Sequence, residues 1–236
     1  SEAAEATFVG SYLGPALRAA RLPTQVYGFD YDWTASLPAF VSALAAGPAG
    51  PYLAGIAWHC YYGNALVMSQ LHQQVPALDQ VVSECSQGQR FFSTSELLIA
   101  AFRNWATAVN LWNLALEPGG GPVQLPNWGC GGCTGILSIN PRTGRVQPTL
   151  DFYELTQLSH FVEPGAVRLQ STTLVEPVYL HLVTPGVDDV VFQNPNGHKV
   201  MLAFNSSSET KAFTVQDGSE YFSYQLAPAT TATFTW

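Results

Sequence analysis

Gln80-Val81-Val82-Ser83-Glu84-Cys85-Ser86-Gln87-Gly88 is a short apolar run that delivers one carboxylate and then breaks into small polar residues. A β-branched run of this length reads as a buried strand, and the Ser-Gln-Gly that follows reads as a loop. Glu84 therefore stands at the carboxyl end of a strand, where β/α enzymes hold their reacting groups. A carboxylate there serves either as a catalyst or as a structural hydrogen-bond acceptor. Two neighbouring stretches have the same form, Ala54-Gly55-Ile56-Ala57-Trp58-His59-Cys60-Tyr61-Tyr62-Gly63 and Leu111-Trp112-Asn113-Leu114-Ala115-Leu116-Glu117-Pro118. Each is an apolar run ending in polar or aromatic groups. Three such ends in succession point to one face of a barrel organised around Glu84.

The elements that position these groups alternate. The pattern Phe8, Leu13, Leu17 and Ala20 predicts an amphipathic helix over 6–21, with Pro15 marking a break or a late start. A strand over 25–29 ends on Asp30-Tyr31-Asp32-Trp33, and a helix over 37–45 is stopped by Gly47-Pro48. The strand at 54–58, a helix at 65–73, the Glu84 strand, a helix at 94–105 and a strand at 108–112 follow. A Gly/Pro/Cys loop fills 118–135, and a helix over 149–161 ends at Pro164-Gly165. Four strand–helix alternations are the pattern of a β/α barrel with parallel strands. Beyond 161 the character changes to short alternating strands at 167–169, 178–182, 190–193, 200–205, 212–215, 222–226 and 232–236. Asn196-Gly197 and Asp217-Gly218 are hairpin signals. This is a small all-β, sandwich-like module.

The chain of 236 residues is 47% apolar and only 11% charged, which argues against disorder. Its net charge is −8 and its nine Lys and Arg form no basic patch, which argues against a nucleic-acid partner. A surface poor in charge and rich in Ser, Thr, Asn, Gln and Tyr suits neutral ligands such as sugars. No apolar run reaches the ~18 residues of a membrane span. The chain opens on Ser1-Glu2-Ala3-Ala4 and reads as a processed, trimmed or partial product. Of the four cysteines, Cys130 and Cys133 form Cys-Gly-Gly-Cys within the Gly-rich loop. A zinc site needs a second close pair, and Cys60 and Cys85 end separate strands, so no metal is expected. A local Cys130–Cys133 disulfide is the favoured reading and points to a secreted, extracytoplasmic protein; free thiols are the alternative. Asn205-Ser206-Ser207 is a formal glycosylation sequon.

Gly-Ile-Ala-Trp-His-Cys-Tyr at 55–61, Ser-Glu-Cys at 83–85 and above all Leu-Trp-Asn-Leu-Ala-Leu-Glu-Pro-Gly-Gly-Gly-Pro at 111–122 resemble glycoside hydrolase family 30. That family includes glucosylceramidases, β-glucosidases, β-1,6-glucanases and xylan-active enzymes. The likeness runs on through 152–168 into the terminal Ala-Thr-Phe-Thr-Trp. The resemblance implies a (β/α)8 barrel with an attached β-sandwich and a retaining mechanism without cofactor. Two carboxylates then lie ~5–5.5 Å apart, and one attacks the anomeric carbon directly. Glu84 matches the family's nucleophile at the end of strand seven. Tyr61 matches a hydrogen-bond partner of that nucleophile, and His59 a strand-six histidine beside it. Asp30 matches a strand-five acid that bonds sugar hydroxyls, with Asp32 as its substitute. Trp112 matches an aromatic wall of the sugar pocket, and Asn127 and Trp128 lie in a loop that shapes subsites.

In the family the acid/base follows an Asn at the end of strand four, and this chain has no Asn-Glu pair. The resemblance sets 6–21 on the helix after strand four, so the expected fold is the second half (strands five to eight) of a (β/α)8 barrel over 1–162, followed by a β-sandwich over 163–236. Glu2 and Glu5 read as helix-start charges. The missing acid/base is expected on an N-terminal half supplied as a separate or cleaved polypeptide. The function implied is a retaining β-glycosidase acting on β-1,6-glucan or β-gluco-oligosaccharides. A non-catalytic carbohydrate-binding fragment is the alternative, as is a xylan- or fucoside-active relative.

Overall fold

The computed structural model describes residues 1–86, 93–121, 133–172 and 186–236. The chain begins with α1 (Glu2–Phe8), which passes through a π-turn (Val9–Leu13) into α2 (Gly14–Ala19). β1 (Val26–Trp33), α3 (Leu37–Phe40, prolonged by a second π-turn, Val41–Ala45), β2 (Leu53–Gly63), α4 (Leu66–Gln74) and β3 (Asp79–Glu84) follow. Next come α5 (Thr94–Arg103), β4 (Ala108–Val109), β5 (Ala115–Leu116), β6 (Leu137–Ile139), β7 (Val146–Pro148) and α6 (Leu150–Ser159). The remaining strands are β8 (Val167–Leu169), β9 (Val187–Gln193), β10 (Lys199–Asn205), β11 (Lys211–Asp217), β12 (Glu220–Leu226) and β13 (Thr230–Thr235).

Two compact units result, the first comprising 1–85 and 104–111, the second 86–103 and 112–236. In the first, β1, β2, β3 and β4 form one sheet in chain order, every neighbouring pair parallel. β2 is buried along most of its length, as a central parallel strand covered by helices is, while β3 buries alternate residues, Gln80 and Val82. Ile56, Trp58 and Val82 are fully buried. The buried polar pair beneath the strand ends is satisfied internally. Trp58 Nε1 donates to Gln80 Oε1 at 3.1 Å, and Gln80 Nε2 donates to the Met68 carbonyl at 3.0 Å.

Pro15 does not break the first helix. A proline ring clashes with the carbonyl four residues back and lacks a donor, and the wider π-turn just ahead of it absorbs both defects. The helix accordingly starts at Glu2 rather than near residue 6. Gly14 permits a close approach there, because a Cβ on it would meet the Tyr52 ring at 2.2 Å. The expected strand over 108–112 is cut to Ala108–Val109. Asn110 N still donates to the Val82 carbonyl at 2.8 Å, and the chain then turns away through Asn113, with φ of 80°. The helix over 94–105 ends at Arg103, since Trp105 is left-handed at φ 74°. β6 and β7, joined across Asn140–Arg145, form a hairpin that the residue pattern did not announce. The expected strand at 178–182 lies outside the described residues.

In the second unit, β13, β10, β9 and β8 form an antiparallel sheet. The β11–β12 hairpin is separate and turns at the expected Asp217-Gly218. Phe213, Phe222 and Tyr224 of the hairpin pack on Phe234 of β13 with ring centroids 5.8, 5.3 and 5.0 Å apart. Val187, Val191, Met201 and Leu226 fill the core between. Asn205, the sequon asparagine, is fully buried. Its Nδ2 donates to the Glu209, Leu226 and Ala227 carbonyls, so it holds the sandwich together and is closed to glycosylation in the folded chain.

α5 is tied into this unit at both ends. Thr94 N donates to Glu154 Oε2 of α6 at 2.6 Å, which caps the helix start. Arg103 Nη1 donates to Ser171 Oγ and to the Asp189 carbonyl, and lies 3.8 Å from Asp189 Oδ2. Burial pushes the Asp189 carboxyl above its usual value of 3.8, against the opposing pull of Ser171 and Arg103. The folded carboxyl therefore keeps its proton to higher pH than the unfolded one. Its stabilisation is complete below pH 3.8 and is lost as pH rises through the raised folded value. Thermal melts of the wild type against Asp189→Asn will thus show the wild type losing ground to the variant as pH rises through that window. A difference that is flat with pH contradicts this.

Candidate active site

The carboxyl ends of β1, β2 and β3 bring four polar residues together, and irregularities in the ladders aim them. Along β1–β2, Phe29 pairs with Ala57 and Tyr31 with Trp58, so Asp30 is an extra residue in β1. Along β2–β3, Trp58 pairs with Val82 and His59 with Glu84, so Ser83 is an extra residue in β3. Such bulges re-aim side chains at strand ends. The two bulged residues meet across the central strand, where Ser83 Oγ donates to Asp30 Oδ1 at 2.7 Å and lies 3.2 Å from the Trp58 carbonyl.

The β1 bulge holds Phe29 and Asp30 at φ of 76° and 46°. Left-handed backbone is costly for a bulky residue such as phenylalanine and persists only where the surroundings over-determine it. Here Phe29 N donates to Glu5 Oε1 at 2.7 Å, and the Phe29 ring packs edge-on against Phe40 and Trp58 at 5.0 and 5.1 Å. Glu5 sits in the first turn of α1, as a helix-start charge would, and also anchors this bulge.

His59 is central. Its Nε2 lies 3.2 Å from Asp30 Oδ1 and 3.8 Å from Glu84 Oε2. The Asp30 side chain is 65% exposed, whereas those of His59 and Glu84 are 17% and 23% exposed. The Tyr61 phenol and the Glu84 carboxylate interact electrostatically. Burial, then the Glu84 carboxylate, then the Asp32 charge, push the Tyr61 phenol well above its usual value of 10. It therefore remains a donor throughout the working range of a protein. Asp32 does not substitute for Asp30. It is buried, and its Oδ1 accepts the Tyr61 and Tyr62 amides at 2.8 and 3.1 Å, which fixes the end of β2. Gly63 closes that end at φ 86°, where a Cβ would strike the Trp33 carbonyl.

Cys60 and Cys85, each directly following a site residue, form a disulfide with Cα atoms 5.3 Å apart. The residue pattern places them on separate strands without pairing them. The signal available was the repeated order polar residue, then Cys, at two adjacent strand ends. Cys133 is also disulfide-bonded, while Asn127, Trp128 and Cys130 lie outside the described residues. Trp112 belongs to the second compact unit and is 48% exposed. No helix among the described residues is long and apolar enough to cross a membrane.

The chain thus joins a parallel β/α unit with a carboxylate at a strand end to an antiparallel module. Residues 165–234 match the family model of the glycosyl hydrolase family 30 beta sandwich domain, and the chain is similar along most of its length to the following proteins. It is 30% identical over 204 residues to the endo-1,6-beta-D-glucanase BGN16.3 of Trichoderma harzianum, covering 84% of this chain and 39% of that protein. It is 27% identical over 239 residues to the lysosomal acid glucosylceramidase of Mus musculus, covering 94% of this chain and 44% of that protein. Among solved structures, an endo-beta1,6-glucanase superposes with a TM-score of 0.79 at 28% identity, over 98% of this chain and 53% of its own. The chain thus spans 39% and 44% of the two curated relatives.

The Tyr61 geometry predicts a late phenol titration. The ultraviolet difference between the wild type and Tyr61→Phe will develop above pH 10, and Glu84→Gln will bring it part of the way down while the burial contribution stays. A difference band centred at the ordinary tyrosine value contradicts the contact.

Proposed function

We propose that this chain contributes the nucleophile side of a retaining β-glycosidase, with Glu84 as the nucleophile. The observation that carries this reading is a strand-end carboxylate, Glu84, that His59 Nε2 approaches at 3.8 Å and whose charge helps raise the Tyr61 phenol. A phenol that keeps its proton holds the carboxylate aimed and leaves one oxygen lobe for the anomeric carbon.

In the first step a Glu84 oxygen bonds to the anomeric carbon, the glycosidic C–O bond breaks, and an acid protonates the departing oxygen. In the second, the same acid group, now a base, takes a proton from water as the water oxygen displaces Glu84. Glu84 also places negative charge beneath the oxocarbenium-like transition state. His59 and the exposed Asp30 face sugar hydroxyls, and Trp112, Asn127 and Trp128 contribute aromatic and polar subsite contacts. Two carboxylates suffice, with no cofactor.

The acid/base is assigned to an N-terminal half of the barrel, because residues 1–236 hold no Asn-Glu pair and span about two fifths of the relatives. Residues 1–162 are then strands five to eight of a (β/α)8 barrel, and 163–236 the side domain. Four parallel strands in chain order support this, as does the position of β1 as an outer strand of the described sheet. An apolar parallel strand needs a partner on each side. The relatives named as endo-1,6-beta-glucanases favour β-1,6-glucan or short β-gluco-oligosaccharides as substrate. The buried disulfide between Cys60 and Cys85 favours a secreted, extracytoplasmic location.

In the complete protein, Glu84→Gln will lower kcat on a β-1,6-linked gluco-oligosaccharide by roughly a thousandfold or more, with the melting temperature little changed. Retained turnover overturns the assignment.

A further inference from the structure

The described β2–β3 pairing ends at His59↔Glu84. β2 runs on to Gly63, but β3 stops at Glu84, so the nucleophile proposed above sits at a strand end, with no further ladder pair among the described residues. Strand ends of this kind fray. The Cys60–Cys85 disulfide lies one residue beyond that last pair, and both cysteines are fully buried. Successive side chains of a strand point to opposite faces. The link is therefore on the packed face, behind His59 and Glu84 rather than among them. It closes a separation of 25 residues that β2, α4 and β3 already organise. Its loop-closure contribution to the fold is thus partly redundant with the ladder, whereas its hold on the two strand ends is not.

We infer that the Cys60–Cys85 disulfide is a positioning device for catalysis, replacing the missing ladder so that Glu84 stays within reach of Tyr61 and His59. This rests on the reading of Glu84 as nucleophile. The strand on one side of the link carries His59 and Tyr61, and Asp32 grips its last turn through the Tyr61 and Tyr62 amides. The other side carries Glu84, preceded by the bulged Ser83, whose Oγ donates to Asp30 Oδ1 and lies 3.2 Å from the Trp58 carbonyl. Without the link, β3 loses its covalent reference to β2, and a displacement of about 1 Å at a reacting group costs on the order of a hundredfold in rate.

The test uses the complete protein with Cys60→Ala/Cys85→Ala and, separately, Cys60→Val/Cys85→Ala, which refills the space without the bond. The expected result, well below the melting temperature, is a kcat reduced about ten- to a hundredfold in both variants with KM within about twofold. An unchanged kcat with a lowered melting temperature overturns the inference, because the bond then serves the fold alone. Recovery of kcat in the valine variant also overturns it, because packing then suffices. Glu84→Gln measured alongside separates the two ideas, since turnover by that variant removes the nucleophile reading whatever the cysteine variants do. Where the paired variants do not fold, kcat is followed in native protein during dithiothreitol reduction, with thiols counted by maleimide mass tagging. Loss of kcat that tracks Cys60 and Cys85 thiols while circular dichroism is constant supports the inference. Activity that survives reduction, or is lost only together with the dichroism signal, overturns it.

Discussion

Glu84 meets Tyr61 and His59 because β2 and β3 run parallel in register to the last residue of β3, with one extra residue, Ser83, absorbed just before the end. A slip of one residue would turn every side chain of β3 to the opposite face, and Glu84 would enter the packed side where Cys85 now lies. The register is secured well below the site. Trp58, Gln80 and the Met68 carbonyl form a closed hydrogen-bond chain in the core. Leaving any member of such a buried chain unpaired is expensive, so the chain admits one alignment of β2 against β3.

The site above that foundation is less regular and more polar. Two bulges lift Asp30 and Ser83 out of the ladder, and the backbone strain of Phe29 and Asp30 is held in place by Glu5 from the first helix and by the Phe29–Phe40–Trp58 ring cluster. The result is a graded surface, with Glu84 and His59 mostly enclosed and Asp30 open to solvent. On the proposed reading, the nucleophile gains from enclosure, which strengthens every directed contact, and the group proposed to meet sugar hydroxyls gains from access. In the second compact unit the same sparing use of polar groups recurs. Glu154 caps α5, Arg103 ties its far end to Ser171 and Asp189, and Asn205 bridges three carbonyls.

Much of this was legible in residue order, and the exceptions have physical causes. The four parallel strands followed from β-branched and apolar runs, and the placing of Glu84 at a strand end followed from the abrupt change to Ser-Gln-Gly. The division of labour between Asp30 and Asp32 was not legible. They are two residues apart, and only the bulge at Asp30 sends one to His59 and the other to the Tyr61 and Tyr62 amides. Pro15 misled because proline breaks a regular α-helix, while a π-turn accommodates it. The Cys60–Cys85 pairing was hidden because disulfides join residues distant in sequence, and the close Cys130–Cys133 pair drew attention to itself. The β6–β7 hairpin was missed because its strands are three residues long, too short to show alternation.

The central claim is that Glu84 forms the covalent bond to the sugar. Its most direct test is peptide mass spectrometry of the complete protein after incubation with a 2-fluoro-β-glucoside inactivator. The account predicts one 2-fluoroglucosyl adduct, located on Glu84 and slowly lost on incubation with an acceptor sugar. An adduct on another carboxylate, or turnover of β-gluco-oligosaccharides without any adduct, would contradict it.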